Sequence, residues 1–204
     1  MMKKGLVFIF SFLFTSSVFS ATLPADIKPT DLRSYGAKTT PVSVYVFSSL
    51  SCPHCASFHQ TVMPKLLSEY VDKGKIRLVY VDMPGDPISM TGTTISRCIS
   101  PDKYESFMSI MFENQMMVFN ASKPREVMTR FATMLGGMSK NDVNVCLADE
   151  KLKKTILDQR TNLATLYDIK GMPSTVVVKG NKTKKIEGAD EIEILRTIDE
   201  RLAD

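Results

Sequence analysis

Two cysteines separated by two residues, in Ser51-Cys52-Pro53-His54-Cys55, are the side chains of this sequence best suited to chemistry. If the chain turns helical there, positions 52 and 55 share a face and their sulfurs can close a small disulfide. The reaction this suits is thiol–disulfide exchange, which needs a thiolate attacker. An ordinary cysteine titrates near about 8.5, so little thiolate exists at neutral pH. At a helix N-terminus, unpaired backbone N–H groups and the positive end of the dipole favour an anion at Cys52, and His54 adds a nearby donor. Stabilising that thiolate stabilises the reduced pair, which makes the disulfide a stronger oxidant. In this scheme Cys52 attacks and is attacked, and Cys55, one turn inward, resolves the mixed disulfide. The Cys55 thiol can also donate to the Cys52 sulfur, while Pro53 and His54 tune the exchange. Far along the chain, Gly171-Met172-Pro173-Ser174-Thr175 leads into the apolar run Val176-Val177-Val178. The two segments together point to a thiol–disulfide oxidoreductase; neither would do so alone.

Two further cysteines, Cys98 and Cys146, bring the total to four. Three pairings are possible. Cys52–Cys55 with Cys98–Cys146 is favoured, because a helical Cys-x-x-Cys leaves its sulfurs adjacent. The second bridge is then structural, and its long loop stabilises the fold by roughly 4 kcal/mol in the chain-entropy model. A zinc site is disfavoured. Zinc takes four ligands, the only histidines are His54 and His59, and Cys98 and Cys146 lie far from the motif. His59 reads as an ordinary helix-surface or partly buried histidine. No metal and no cofactor is expected.

These residues need a scaffold. Val42 to Phe47 (VSVYVF) reads as a buried strand. Ser48 to Ser51 carries it into a helix starting near Cys52, with Pro53 tolerated in the first turn. Phe58, Val62, Leu66 and Tyr70 form its apolar stripe, Pro64 should kink it, and Lys73-Gly74-Lys75 ends it. Ile76 to Val81 is a second strand. From Asp86 to about Tyr167 the β-branched runs give way to periodic segments, including Ser106 to Phe119, Arg125 to Leu135 and Lys151 to Tyr167. Thr175 to Lys179 and Lys184 to Glu187 read as hairpin strands around Gly180-Asn181, and Asp190 to Leu202 as a closing helix. The lysines between 179 and 185 are taken as a solvated turn. The order β-α-β, helices, β-β-α fits an α/β fold: a small mixed sheet with helices on both faces and an inserted helical subdomain. The expected divisions are 21–85, the insertion 86–167, and 168–204. Eight of the thirteen methionines fall between Met90 and Met138. They suit a helical core, or a groove for varied apolar partners.

The N-terminus reads as an export signal: Lys3 and Lys4, an apolar stretch from Leu6 to Phe14, and small residues placed for cleavage after Ser20. The apolar stretch is too short to cross a ~30 Å hydrocarbon core comfortably. Of the 26 Lys and Arg residues two lie in that signal, leaving 24 against 22 Asp and Glu, a net charge of +2. That balance suggests no nucleic-acid stripe. Export implies an oxidising compartment, taken here as the periplasm, where an even cysteine count is normally fully paired.

The residues quoted above resemble the DsbA family of exported thioredoxin-fold proteins. Cys52-Pro53-His54-Cys55 matches the family's usual active-site tetrapeptide, and the strand and helix on either side match as well. So do the run from Glu69 to Tyr80 and the helical insertion. Gly171 to Thr175 sits where the family carries its cis-proline loop. The resemblance implies a cis peptide at Met172-Pro173 facing the disulfide. It also implies a substrate-binding edge at Met172 and Ser174 that pairs with an extended peptide. Cys98 and Cys146 resemble an extra pair that bridges the helical subdomain in one branch of the family. The chain departs from the family pattern in two places. The strand before the motif has no charged residue among Val44, Tyr45, Val46 and Phe47, and Met172 stands where Val or Thr is commoner.

The expected function is an exported, monomeric oxidase that donates its Cys52–Cys55 disulfide to reduced, unfolded secreted proteins. The family implies reoxidation by a DsbB-type membrane oxidase. The rival readings are a disulfide isomerase or reductase kept reduced by a membrane donor, and a periplasmic copper-binding protein using Cys52, Cys55 and His54.

Overall fold

Seven residues, Val42–Ser48, form the strand on which everything else is assembled. Its sequence is apolar on both faces, so it can lie only at the centre of a sheet covered on both sides. The computed structural model describes residues 32–204, and the expected signal with its cleavage after Ser20 lies outside them. The strands are β1 (Ser34–Tyr35), β2 (Val42–Ser48), β3 (Ile76–Asp82), β4 (Ser174–Lys179) and β5 (Lys182–Glu187). They form one mixed sheet in the order β1-β3-β2-β4-β5. β2 runs parallel to β3 and antiparallel to β4. The two-residue β1 pairs antiparallel with β3; it falls short of any run that periodicity could reveal.

Val42, Val44 and Val46 face one side of the sheet and join a large core that includes Phe58, Val62 and Leu66, Ile194 and Ile198, and the helical residues Ile95, Tyr104, Phe107 and Met111. Tyr45 and Phe47 face the other side, where Leu163 and Tyr167 pack with Val79, Val81 and Val176. The helical insertion therefore shares its core with the sheet.

The helices are α1 (Pro53–Thr61), α2 (Met63–Lys65), α3 (Pro87–Cys98), α4 (Pro101–Glu113), α5 (Gln115–Phe119), α6 (Pro124–Met134), α7 (Lys140–Leu147), α8 (Glu150–Leu166) and α9 (Glu191–Ala203). Pro53, Pro87, Pro101 and Pro124 each open a helix at its first position, where a missing N–H costs nothing. The expected kink at Pro64 takes the form of a change in winding. After α2 the rod continues as a π-helical stretch, Leu66–Val71, in which Asp72 N–H donates to Leu67 O and Lys75 N–H to Tyr70 O. The anticipated stripe of Phe58, Val62, Leu66 and Tyr70 is buried along its length. The segment read as one helix from Ser106 to Phe119 is broken at Asn114, between α4 and α5.

A disulfide joins Cys98, exposed at the end of α3, to the buried Cys146 of α7. At the sheet's outer edge, Lys182, Lys184 and Lys185 of β5 pair with Asp204, Glu193 and Glu187. Among the described residues no helix is long and apolar enough to cross a membrane.

Candidate active site

The antiparallel register of β2 and β4 sets Phe47 opposite Ser174. One step further along both strands, the loop leaving β2 meets the loop entering β4. This brings Ser49 to Cys55 beside Gly171 to Pro173, segments far apart in sequence. The Met172–Pro173 peptide is cis, and the Cys52 Sγ donates to the Met172 carbonyl oxygen at 3.6 Å.

Cys52 is the N-cap of α1, with extended backbone at φ −88°, ψ 117°. Its carbonyl accepts from Cys55 N–H and Ala56 N–H at 3.0 and 3.1 Å, and so starts the helix. The sulfur itself takes no N–H from the first turn. Cys52 thus stands at the helix N-terminus, as expected, and in this dithiol form its thiol donates to the Met172 carbonyl.

Cys55 sits one turn inward and is fully buried. Ser49 N–H approaches its sulfur at 3.5 Å. Burial pushes the Cys55 thiol up to about 12. The Ser48 hydroxyl and Ser49 N–H pull the other way, while its hydrogen bond to the Cys52 sulfur and that sulfur's charge push it further up. The two thiols are thus unequal. Cys52 is half-buried at the surface, and Cys55 is a buried acid held protonated. Pro53 and His54 are exposed on the first turn.

On the facing loop Pro173 is buried, and its carbonyl accepts from Gly188 N–H at 2.8 Å. Met172 is half-buried. Ser174 was expected to face a substrate, but it does not: it is fully buried, and its hydroxyl donates to Gly171 O at 2.8 Å. Its position inside β4 makes it a brace for the loop. His59 also differs from expectation. It is buried on α1, packed against Phe112 with ring centroids 4.6 Å apart. Its Nε2 lies 3.3 Å from Glu105 Oε1, too poorly aligned for a hydrogen bond. Burial pushes its imidazole down to about 4. Glu105, which accepts from the Tyr80 hydroxyl, is raised by burial against the pull of the Tyr80 and Ser109 hydroxyls.

Three residues that sequence reasoning passed over hold the reactive loop. Gln115 of α5 donates its side-chain amide to the carbonyls of Leu50 and Cys52 at 2.8 and 2.9 Å. Asp86 caps α3 in a capping box with Ser89. Burial would raise its carboxyl, but hydrogen bonds from Ser51, Ser89 and the backbone hold it below the usual range. Gly92 lets Leu50 approach α3, since a Cβ there would come within 2.7 Å of Leu50 Cδ1. No sequence signal singled out Gln115, which lies inside the segment read as one helix from Ser106 to Phe119. The methionines divide. Met108, Met111 and Met128 fill the core, whereas Met116 and Met117 are 66% and 50% exposed, in a groove shared with Pro53, Ser57 and Gln60 of α1. Among the described residues no three His, Cys, Asp or Glu side chains gather as a metal cage.

A family model described as thioredoxin matches residues 28–200. A Rickettsia typhi protein named as a protein-disulfide oxidoreductase is 29% identical over 170 residues, covering 83% of this chain and 61% of that one. Disulfide bond formation protein D of Bacillus subtilis is 24% identical over 174 residues, covering 82% of this chain and 75% of that one. The chain spans from 51% to 61% of the length of the first curated relatives it matches. Among solved structures, Wolbachia pipientis alpha-DsbA1 superposes with a TM-score of 0.78 at 21% identity, covering 90% of this chain and 96% of that one. Oxidised BdbD of Bacillus subtilis gives 0.70, also at 21% identity, covering 87% and 96%. These structural likenesses establish the fold: a thioredoxin-like mixed sheet with a helical insertion.

Proposed function

The chain belongs to the thioredoxin family, with the architecture of the DsbA proteins, and from that premise we propose that it is an exported thiol:disulfide oxidoreductase which donates its Cys52–Cys55 disulfide to reduced, unfolded secreted proteins. The observation that carries this reading is the inequality of the two sulfurs. Cys52 is reachable and lies against the Met172–Pro173 loop, while Cys55 is fully buried and strongly favours its protonated form.

The exchange follows from that inequality. A client thiolate attacks Cys52 Sγ of the disulfide. The Cys52–Cys55 bond breaks, a client–Cys52 disulfide forms, and Cys55 leaves with the electron pair and takes up a proton. A second client thiolate then attacks the client sulfur of the mixed disulfide and expels Cys52 as thiolate. The client loses two electrons and the Cys52/Cys55 pair gains them; of the two protons the client thiols give up, one is taken up at Cys55 and the other stays with the solvent while Cys52 remains a thiolate. Cys55 is a poor nucleophile while protonated, so it does not readily reverse the first step. Pro53 and His54 tune the poise. Met172 offers backbone to an extended client beside Cys52.

In this reading residues 1–20 direct export to the periplasm and are removed. The monomer returns to the disulfide form by passing its electrons to a DsbB-type membrane oxidase. The test mixes the oxidised protein in stoichiometric amount with an unfolded client carrying two thiols. One client disulfide should form per protein, with two protein thiols appearing. Rescue of a scrambled client without net oxidation would replace the reading with isomerisation, and no thiol exchange of either kind would reject both.

A further inference from the structure

One amide nitrogen holds both ends of the reactive loop. Gln115 Nε2 lies 2.8 Å from Leu50 O and 2.9 Å from Cys52 O, and the residue is buried. Both contacts are carbonyl oxygens, so the amide must present its NH₂ group, and both of its hydrogens are committed. The Cys52 carbonyl is no ordinary acceptor. Its direction sets the plane of the Cys52–Pro53 peptide and hence the ψ of 117° that separates the extended N-cap from the helix. That same carbonyl receives Cys55 N–H and Ala56 N–H. Gln115 therefore fixes, from outside the loop, the backbone that aims Cys52 Sγ at Met172.

Other contacts hold the loop from α3 but leave that carbonyl alone. Leu50 packs against Gly92, and Ser51 bonds to Asp86. α5 itself is short, and Gln115 and Val118 are its buried residues. The next two residues, Met116 and Met117, point to solvent beside α1.

We infer that Gln115 is a positioning residue for Cys52: through the Leu50 and Cys52 carbonyls it sets the reactivity of the attacking sulfur and the redox poise of the pair. The inference rests on the oxidoreductase reading but is tested apart from it. Gln115→Met keeps the bulk and removes the donors. Gln115→Glu keeps the shape, removes the donors and sets a negative charge near the sulfur. Gln115→Lys keeps donors for both carbonyls and adds a positive charge. Val118 is untouched in all three, so α5 keeps its buried anchor.

The readouts are the rate of Cys52 alkylation by iodoacetamide on the reduced protein at fixed pH, the equilibrium constant with glutathione, and the thermal midpoint. Alkylation should slow by roughly fivefold in Gln115→Met, the weight of about one net hydrogen bond, and by more in Gln115→Glu. The glutathione equilibrium should shift toward the disulfide in step. Gln115→Lys should alkylate at least as fast as the parent. If the Met and Glu variants lose thermal stability but keep the parent's alkylation rate and glutathione constant, Gln115 is a structural anchor only and the inference falls. Slowed alkylation in Gln115→Lys would overturn it as well. Alkylation needs no client, so a parent that alkylates normally yet fails to oxidise clients rejects the proposed function and leaves this inference to its own result.

Discussion

The sulfur of Cys52 lies 3.6 Å from the carbonyl oxygen of Met172, although 120 residues separate them along the chain. Only the antiparallel pairing of β2 with β4 brings them together. The contact leaves Cys52, and not the buried Cys55, at the meeting point of motif and loop. Cys52→Ser should reduce client oxidation to the rate seen without protein. Cys55→Ser, given a client that already holds a disulfide, should instead accumulate a client–Cys52 mixed disulfide, formed as the Cys52 thiolate displaces one client sulfur and visible as a mass increment that a reductant removes. Equal trapping by both variants would contradict the assigned roles.

Arg97 and Asp82 form a buried ion pair, Nε to Oδ2 at 2.6 Å, with side chains 5% and 7% exposed. Arg97 also donates to Gln159 Oε1. Removing one partner strands the other charge away from water. Arg97→Met should destabilise the fold by about 3–5 kcal/mol, and adding Asp82→Leu should recover most of that loss. Urea unfolding midpoints of the parent, single and double variants test this, and a double variant no better than the single would refute it.

The Cys98–Cys146 bridge ties α3 to α7 across a sequence separation of 48. Closing a loop of that length restricts the unfolded chain, so replacing both cysteines with Ala should cost about 4 kcal/mol, less any relaxation of the native fold. Denaturant unfolding of the variant against the oxidised parent measures it. A loss below about 1 kcal/mol would show that the unfolded chain gains little freedom when the bridge is removed.

His59 supplies a pH dependence. Burial pushes its imidazole down to about 4, whereas an unfolded histidine titrates near about 6.5. Between those values the unfolded chain binds a proton that the folded chain refuses, so stability falls as pH falls through the window. Glu105 leans the other way. Its raised carboxyl keeps a proton that the unfolded chain has released, so its contribution shrinks as pH rises through and above the ordinary carboxylate range. His59→Leu should unfold less steeply with acid than the parent between about pH 6.5 and 4. Urea midpoints across that range give the comparison, and identical slopes would exclude His59 as the source.

What was legible in the sequence was local. Cys52-Pro53-His54-Cys55 announces a helix start because Pro suits the first helical position, and VSVYVF announces a doubly buried strand because it has no polar face. The stripe Phe58, Val62, Leu66 and Tyr70 could be read for the same reason. What could not be read depends on register and orientation. Ser174 looked available to a ligand until pairing with Phe47 placed it inside the sheet. His59 read as a helix-surface or partly buried residue because nothing in α1 alone reveals how fully α4 covers it. Gln115 resembled any polar residue inside the segment from Ser106 to Phe119 until Leu50 and Cys52 arrived from the other side of the molecule.

The lysines of β5 have a bearing on the proposed task. A protein that receives extended, unfinished chains at one site risks catching them elsewhere, by strand addition along any open sheet margin. Lys182, Lys184 and Lys185 line that margin, each moored by a neighbouring carboxylate. An incoming backbone would have to settle among anchored ammonium groups and strip them of water. In the proposed role, that outer border of the sheet would discourage such strays and leave the sulfur as the place where a passenger can stay.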